Sequence, residues 1–191
     1  MREWTDGRVP SAGETRLLVE RAKAGRLDAI DALYREHSDR IYAYLAASVG
    51  NRQDAEDLTI LTFVRMMESL DRFESRSTPF AAWLYRIARN LAIDHFRSAA
   101  RARARHGASE ERAAARDESA EDEALSVLDR EVLREELAAL PLAQREVLTL
   151  KFVCGLTNAE IAAVLAKSEG AVKALQRRAL AALQRRPIRA A

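Results

Sequence analysis

Cysteine is almost missing from this chain. Cys154 stands alone among 191 residues, so no internal disulfide can form and a cysteine-rich zinc site lacks its ligands. The four Pro and seven Gly are few for a β-rich protein, and the period-two alternation of Val, Ile and Thr that marks strands hardly occurs. No apolar run reaches the length of a membrane span, and no N-terminal segment has the build of a signal peptide. The reading is therefore an all-α protein of a reducing cytoplasm, with no membrane insertion. Enzyme signatures are missing too: there is no Gly-rich phosphate loop and no nucleophile patterned beside a base. His37, His95 and His106 are too scattered for a metal. No catalysis, metal or cofactor is expected.

What the chain does have is apolar content, 48%, dominated by Ala and Leu, and charge that is unevenly placed. The formal net charge is only +2, yet basic residues gather at 86–105 and 167–189 and acidic ones at 117–136. Local basic patches of this kind suit nucleic-acid contact better than a uniform polycation does.

The most telling stretch is 156–183. Thr157 and Glu160 form a T-x-x-E capping box that starts a short helix, with Ile161, Val164 and Leu165 as its apolar stripe. Ser168 can cap a second helix. It would bury Val172, Leu175, Ala179 and Leu183 and present Lys173, Gln176, Arg177 and Arg178 elsewhere. Two short helices across a tight turn make a helix-turn-helix, whose second helix enters the DNA major groove.

Periodicity upstream predicts helices over 14–24, closed by Gly25, and over 28–49, closed by Gly50. A third is capped by Asp54 and runs to about Leu70. After a polar loop at 74–79, Pro79 is placed as the first residue of a fourth helix, which runs from Phe80 into Arg97. The pattern then fades into an Ala-, Arg- and Glu-rich segment, read as a solvated linker, before helices at 125–140 and 142–153. The boundaries drawn are a disordered tail at 1–13, a domain at 14–98, a flexible linker at 99–122, a helix-turn-helix domain at 123–186 and a tail at 187–191.

Several stretches together resemble one family: Asp54-Ala-Glu-Asp-Leu58, Asp71-Arg-Phe73, the run from Phe80 to Asp94, Leu140-Pro-Leu-Ala-Gln-Arg-Glu-Val-Leu148, Gly155-Leu-Thr-Asn-Ala-Glu-Ile-Ala162 and Ser168-Glu-Gly-Ala-Val-Lys173. They resemble the extracytoplasmic-function (ECF) group of bacterial sigma factors in the sigma-70 family, which carry only sigma-2 and sigma-4 domains. A helix-turn-helix alone is weakly specific; the two blocks in this order and separation are highly specific. The resemblance implies binding to core RNA polymerase and direction of promoter-specific initiation. Sigma-2 would recognise and melt the minus-ten element, and sigma-4 would read the minus-thirty-five element. An anti-sigma factor is the further partner it implies.

Carried onto this sequence, the minus-thirty-five contacts are Ser168, Glu169, Gly170, Ala171, Lys173, Ala174, Arg177 and Arg178. Phosphate contact needs the cations among them. Minus-ten recognition and melting fall on Phe80, Trp83, Arg86, Arg89, Asn90 and Arg97, because an opened strand needs a basic track and groups that accept unstacked bases. Polymerase binding falls on Asp54, Asp57, Leu58, Leu61 and Arg65. Plainer readings stand beside these. Trp83 is in register with Ile87 and Leu91 and fits core packing better than stacking, and Phe80 and Asn90 are evenly divided. The three Arg have only Asp94 to balance them, which favours phosphate, and Cys154 reads as a small buried hydrophobe.

Two departures from the family stand out. Ile60 and Leu61 replace a polar Gln and an acid, leaving the third helix apolar nearly all round. Either polymerase or an inhibitory partner covers that face, or one of the two packs internally. Ala171 and Ala174 replace Thr and Ser, which shifts base readout toward thymine methyls, Lys173 and Arg177. The main alternative is a stand-alone helix-turn-helix regulator, which would bind a palindrome without polymerase. A purely protein-binding adaptor leaves the Arg-rich helices without purpose.

Overall fold

Two left-handed glycines set the first turns of the chain. Gly25 and Gly50 sit at φ 75° and 74°, and the Gly50 N–H closes on the Ala46 carbonyl at 3.1 Å. The computed structural model describes residues 12–74, 78–106, 136–137 and 139–185. In it these turns separate α1 (Ala12–Lys23), α2 (Leu27–Val49) and α3 (Arg52–Ser69). A 3-10 turn at Leu70–Arg72 leads toward α4 (Phe80–His106). Beyond it come α5 (Leu142–Leu148), a π-turn (Thr149–Val153), α6 (Asn158–Leu165) and α7 (Glu169–Gln184). All regular structure among the described residues is helical, in keeping with the all-α reading. None of the described helices is long and apolar enough to cross a membrane.

Helix α1 already begins at Ala12, inside the stretch read as a tail at 1–13, whose first eleven residues lie outside the described ones, and four further boundaries differ for a local reason. Asn51, not Asp54, caps α3: its extended backbone lets the side chain accept from the Asp54 N–H at 3.2 Å, so the helix starts earlier. Helix α4 starts at Phe80, with the Pro79 carbonyl accepting from the Trp83 N–H. It also runs past Arg97 to His106, since Ala and Arg are strong helix formers and sustain the helix without an apolar stripe. The single helix expected at 142–153 is two pieces, because Cys154 donates its N–H five residues back to Thr149 and opens a π-turn. That turn keeps Thr149 and Leu150 inside while Phe152 and Val153 are exposed. The expected linker from 107 onward and most of the 125–140 helix lie outside the described residues.

Helix α2 is the organising element of the first half. It packs against α1, α3 and α4 and contributes Leu33, Ile41 and Leu45, which meet Met66 of α3 and Leu84 of α4 in the interior. Burying each such side chain contributes about 1.5–3 kcal/mol. Lys23 ties α1 across to the Phe73 carbonyl at 2.6 Å. In the second half, α5, α6 and α7 close around Val147, Leu150, Ile161 and Val172. The buried apolar residues of both halves form one continuous cluster, because α6 lies on α4 and the π-turn lies on α2.

Two neighbours in α2 are titratable and largely withdrawn from water. Burial pushes the His37 imidazole down to about 4, so it is neutral under the Phe80 ring, 5.3 Å away between centroids. Burial pushes the Glu36 carboxyl up to about 7, opposed by Arg40, and one of its oxygens has no hydrogen-bond partner among the described residues. A folded-state value above the ordinary 4.5 means that this group's contribution to stability is complete below pH 4.5 and is lost as pH rises through 7. Glu36→Gln should therefore melt with the wild type near pH 4 and above it at pH 8, as read by circular dichroism. Equal melting at both would show that the carboxyl is solvated.

Candidate nucleic-acid interface

The helix-turn-helix is built by two caps and one strained residue. Thr157 accepts from the Glu160 N–H at 3.2 Å while Glu160 accepts from the Thr157 N–H at 2.8 Å, which completes the expected capping box. Ser168 accepts from the Ala171 N–H at 3.2 Å and starts α7. Between them Ala166 ends α6 in the left-handed region, at φ 50°. The turn also fixes the roll of α7: Val172 and Ala179 are buried, while Glu169, Gly170, Lys173, Arg177 and Arg178 are exposed along one flank. Ala171 and Ala174 are half-buried at its edge. Gln176, expected to be exposed, is instead half-buried and donates to Asn158 of α6 at 2.9 Å, bracing the two helices.

On α4 the residues assigned to minus-ten contact divide into three environments. Arg86, Asn90 and Arg97 are exposed, at spacings that place them on one helical face, with Arg97 3.7 Å from Asp94. Trp83 is half-buried against Phe73, with ring centroids 4.7 Å apart, so it serves the core and still reaches the surface. Trp83 and Arg86 wall a hollow of about 230 Å³ with Arg72, Glu74 and Thr78. Phe80 is a correction: its ring is buried between His37, Phe73 and Trp83 and is not presented to a base. Arg89 is another. It does not lack an acidic partner, since its Nε lies 2.6 Å from Glu146 of α5.

The α3 assignments separate in the same manner. Leu58 is core, buried with Ala55, Thr59, Thr62, Phe63 and Met66, so it is removed from any docking surface. Asp57, Leu61 and Arg65 face outward, Arg65 paired with Glu68 at 2.8 Å, and Asp54 sits 3.5 Å from His95 of α4. Ile60 does not pack internally; it is 59% exposed and stands with Leu61, Val64 and Met67 in an open apolar patch. Cys154 is buried, and burial pushes its thiol up to about 11, which fits a small apolar filler.

Two helical surfaces thus expose cations, one of them on a helix-turn-helix. Residues 33–102 match Sigma-70 region 2 and residues 130–183 match Sigma-70, region 4. The ECF RNA polymerase sigma factor SigL of Mycobacterium tuberculosis (strain H37Rv) is 32% identical over 155 residues, which span 81% of this chain and 86% of SigL. The chain belongs to the ECF sigma factors. BldN of Streptomyces coelicolor, another ECF sigma factor, is 44% identical over 163 residues, 85% of this chain; the chain spans 61% of BldN's length. Among solved structures, CnrH in complex with the cytosolic domain of CnrY is 27% identical with a TM-score of 0.70, covering 91% of this chain and 96% of CnrH. The sigma factor RpoE of Bartonella quintana, in complex with the anti-sigma factor NepR, shares the fold at 24% identity and a TM-score of 0.67, covering 81% of this chain and 93% of RpoE.

Sequence reasoning missed Asn51, Ala166, Glu146 and the Asn158–Gln176 brace. Asn51 was legible, since it follows a helix-ending glycine. The others depend on tertiary geometry. The left-handed Ala166 costs about 1–2 kcal/mol that Gly would avoid, against a smaller entropic loss in the unfolded chain. Ala166→Gly should raise the stability of this sigma factor by about 0.5–1 kcal/mol. A urea midpoint that falls instead would mean the turn is not left-handed.

Proposed function

We propose that this sigma factor binds core RNA polymerase and directs promoter-specific initiation, with the helices from Ala12 to His106 acting as sigma-2, 107–122 as the connecting linker and 123–186 as sigma-4. The observation that carries the reading is the pairing of an outward basic recognition helix with a second basic helix face in a chain whose two halves match regions 2 and 4. Duplex readout then falls to α7: Lys173, Arg177 and Arg178 meet phosphate or base edges, while the α7 N-terminus with Ser168, Glu169, Gly170 and Ala171 approaches the groove beside Ala174. Melted strand falls to α4, where Arg86, Asn90 and Arg97 track the backbone and the hollow beside Trp83 accepts an unstacked base. Trapping extruded bases requires no bond-making by the protein, so no catalytic group is assigned. The bacterial cytoplasm, at the nucleoid, is where this work is done.

Polymerase docking is assigned to the outer face of α3, through Asp57, Leu61 and Arg65 together with Ile60, Val64 and Met67. Its apolar character implies a more hydrophobic contact than polar residues at Ile60 and Leu61 would give. An anti-sigma factor is a further partner, in keeping with the CnrH relative held by CnrY.

Run-off transcription on host genomic DNA, with core polymerase and with or without this protein, tests the function; the outcome expected is a set of start sites that depend on the protein. A free chain that binds a palindrome tightly and fails to join core polymerase would replace it with the operator-binding regulator. Leu61→Glu should weaken core affinity by at least about tenfold, the effect of losing one buried Leu, while the fold survives because Leu61 is exposed. Unchanged affinity would take α3 out of the interface. In the holoenzyme, Arg177→Ala should reduce the log–log salt slope of promoter binding by roughly 0.9, the value of one phosphate contact.

A further inference from the structure

Glu146 belongs to α5 in the helix-turn-helix half, yet its carboxylate reaches across the seam into the first half. It accepts from Arg89 Nε at 2.6 Å and from the Tyr44 hydroxyl at 3.2 Å, with Arg89 Nη2 at 3.5 Å from its second oxygen. Its side chain is only 14% exposed and that of Arg89 30%, so both ions are partly shielded from water. Arg89 sits on the basic helix assigned above to melted DNA. A guanidinium offered to both oxygens of a carboxylate is the arrangement it would offer to phosphate.

The rest of the seam is held by packing. Helix α6 lies on α4, the π-turn lies on α2, and the Cys154 thiol faces the buried Tyr85 hydroxyl of α4. Beside the Glu146 cluster a cavity of about 70 Å³ runs between Ala92, Ile93, Phe96 and Leu142. Apolar walls with a gap between them forgo part of their dispersion contact, so this side of the seam parts more readily than a filled core would.

We propose that Glu146 is an internal competitor for DNA: its carboxylate takes the phosphate site on Arg89 and clasps sigma-4 onto sigma-2, so the free chain holds single-stranded DNA weakly until the seam opens. The inference rests on the reading of α4 as the single-strand face, and it names the residue that regulates that face. No covalent step is involved. DNA opens the clasp by offering Arg89 a backbone phosphate in exchange for the carboxylate.

Cys154, the chain's only cysteine, provides an unambiguous reporter of opening. In the full-length free protein, Glu146→Gln should speed N-ethylmaleimide modification of Cys154 about tenfold, the factor one hydrogen bond to a charged group is worth, and Tyr44→Phe should speed it less. The same Glu146→Gln protein should bind a fluorescent mixed-sequence DNA single strand about tenfold more tightly at low salt, and adding Arg89→Ala should abolish that gain. Wild-type labelling and wild-type strand affinity in both single variants would overturn the proposal. Faster labelling with unchanged strand affinity would also overturn it, leaving Glu146 a mere fastener. A gain that survives Arg89→Ala would trace to bulk charge and overturn it as well. Run-off transcription by Glu146→Gln holoenzyme stays at the wild-type level under the proposal. If wild-type protein yields no run-off product, the functional reading fails separately, since labelling of the free chain needs no polymerase.

Discussion

The interior contacts of α2 are the constraint on which the rest of the structure depends. Leu33, Ile41 and Leu45 are the fully buried residues onto which α1, α3 and α4 are packed. Although α3 and α4 also pack on one another, each keeps a face for solvent. Helix α3 keeps an apolar outer face and α4 a basic one. Helix α2 also receives the π-turn of the second half, so the same helix helps set how the two halves meet. Loosening α2 would disturb every surface assigned a partner.

The charge asymmetry acquires its meaning from this arrangement. Cations on α7 are positioned by a helix-turn-helix whose inner side is closed by Val172 and Ala179, so they have only one direction in which to point. Cations on α4 are split by helical phase. Arg86 and Arg97 look outward, while Arg89, three residues from Arg86, is turned toward the second half and meets Glu146. A near-zero net charge is therefore compatible with two basic surfaces, since many of the acids gather in another part of the sequence, at 117–136.

Much of this was legible in the residues. The two glycine stops, the capping box at Thr157, the Ser168 cap and the apolar stripes of α2 and α7 are local patterns, and local patterns survive folding. The family was legible because two blocks recur in fixed order. Depth was harder to read. Leu58 and Phe80 sit in motifs that suggest contact with a partner, yet helical phase turns both inward, and a difference of a few tens of degrees decides between core and surface. The α4 extension was missed because it lacks an apolar stripe, and Ala-rich helix needs none. Glu146 was invisible in principle: its partners, Tyr44 and Arg89, are 102 and 57 residues away in the chain.

The π-turn at Thr149–Val153 adds one residue to a helical circuit, and each residue advances the backbone by about 100°. The extra step carries the Cys154 N–H five residues back to the Thr149 carbonyl, while Leu150 and Cys154 stay inside and Phe152 and Val153 look out. The bearing of the recognition helix relative to α2 is thus fixed by a count of residues, independent of their chemistry. Removing any one of the five would rotate the whole DNA-reading module about its own stem, with both halves still folded and every cation still present, yet aimed at the wrong place on the promoter.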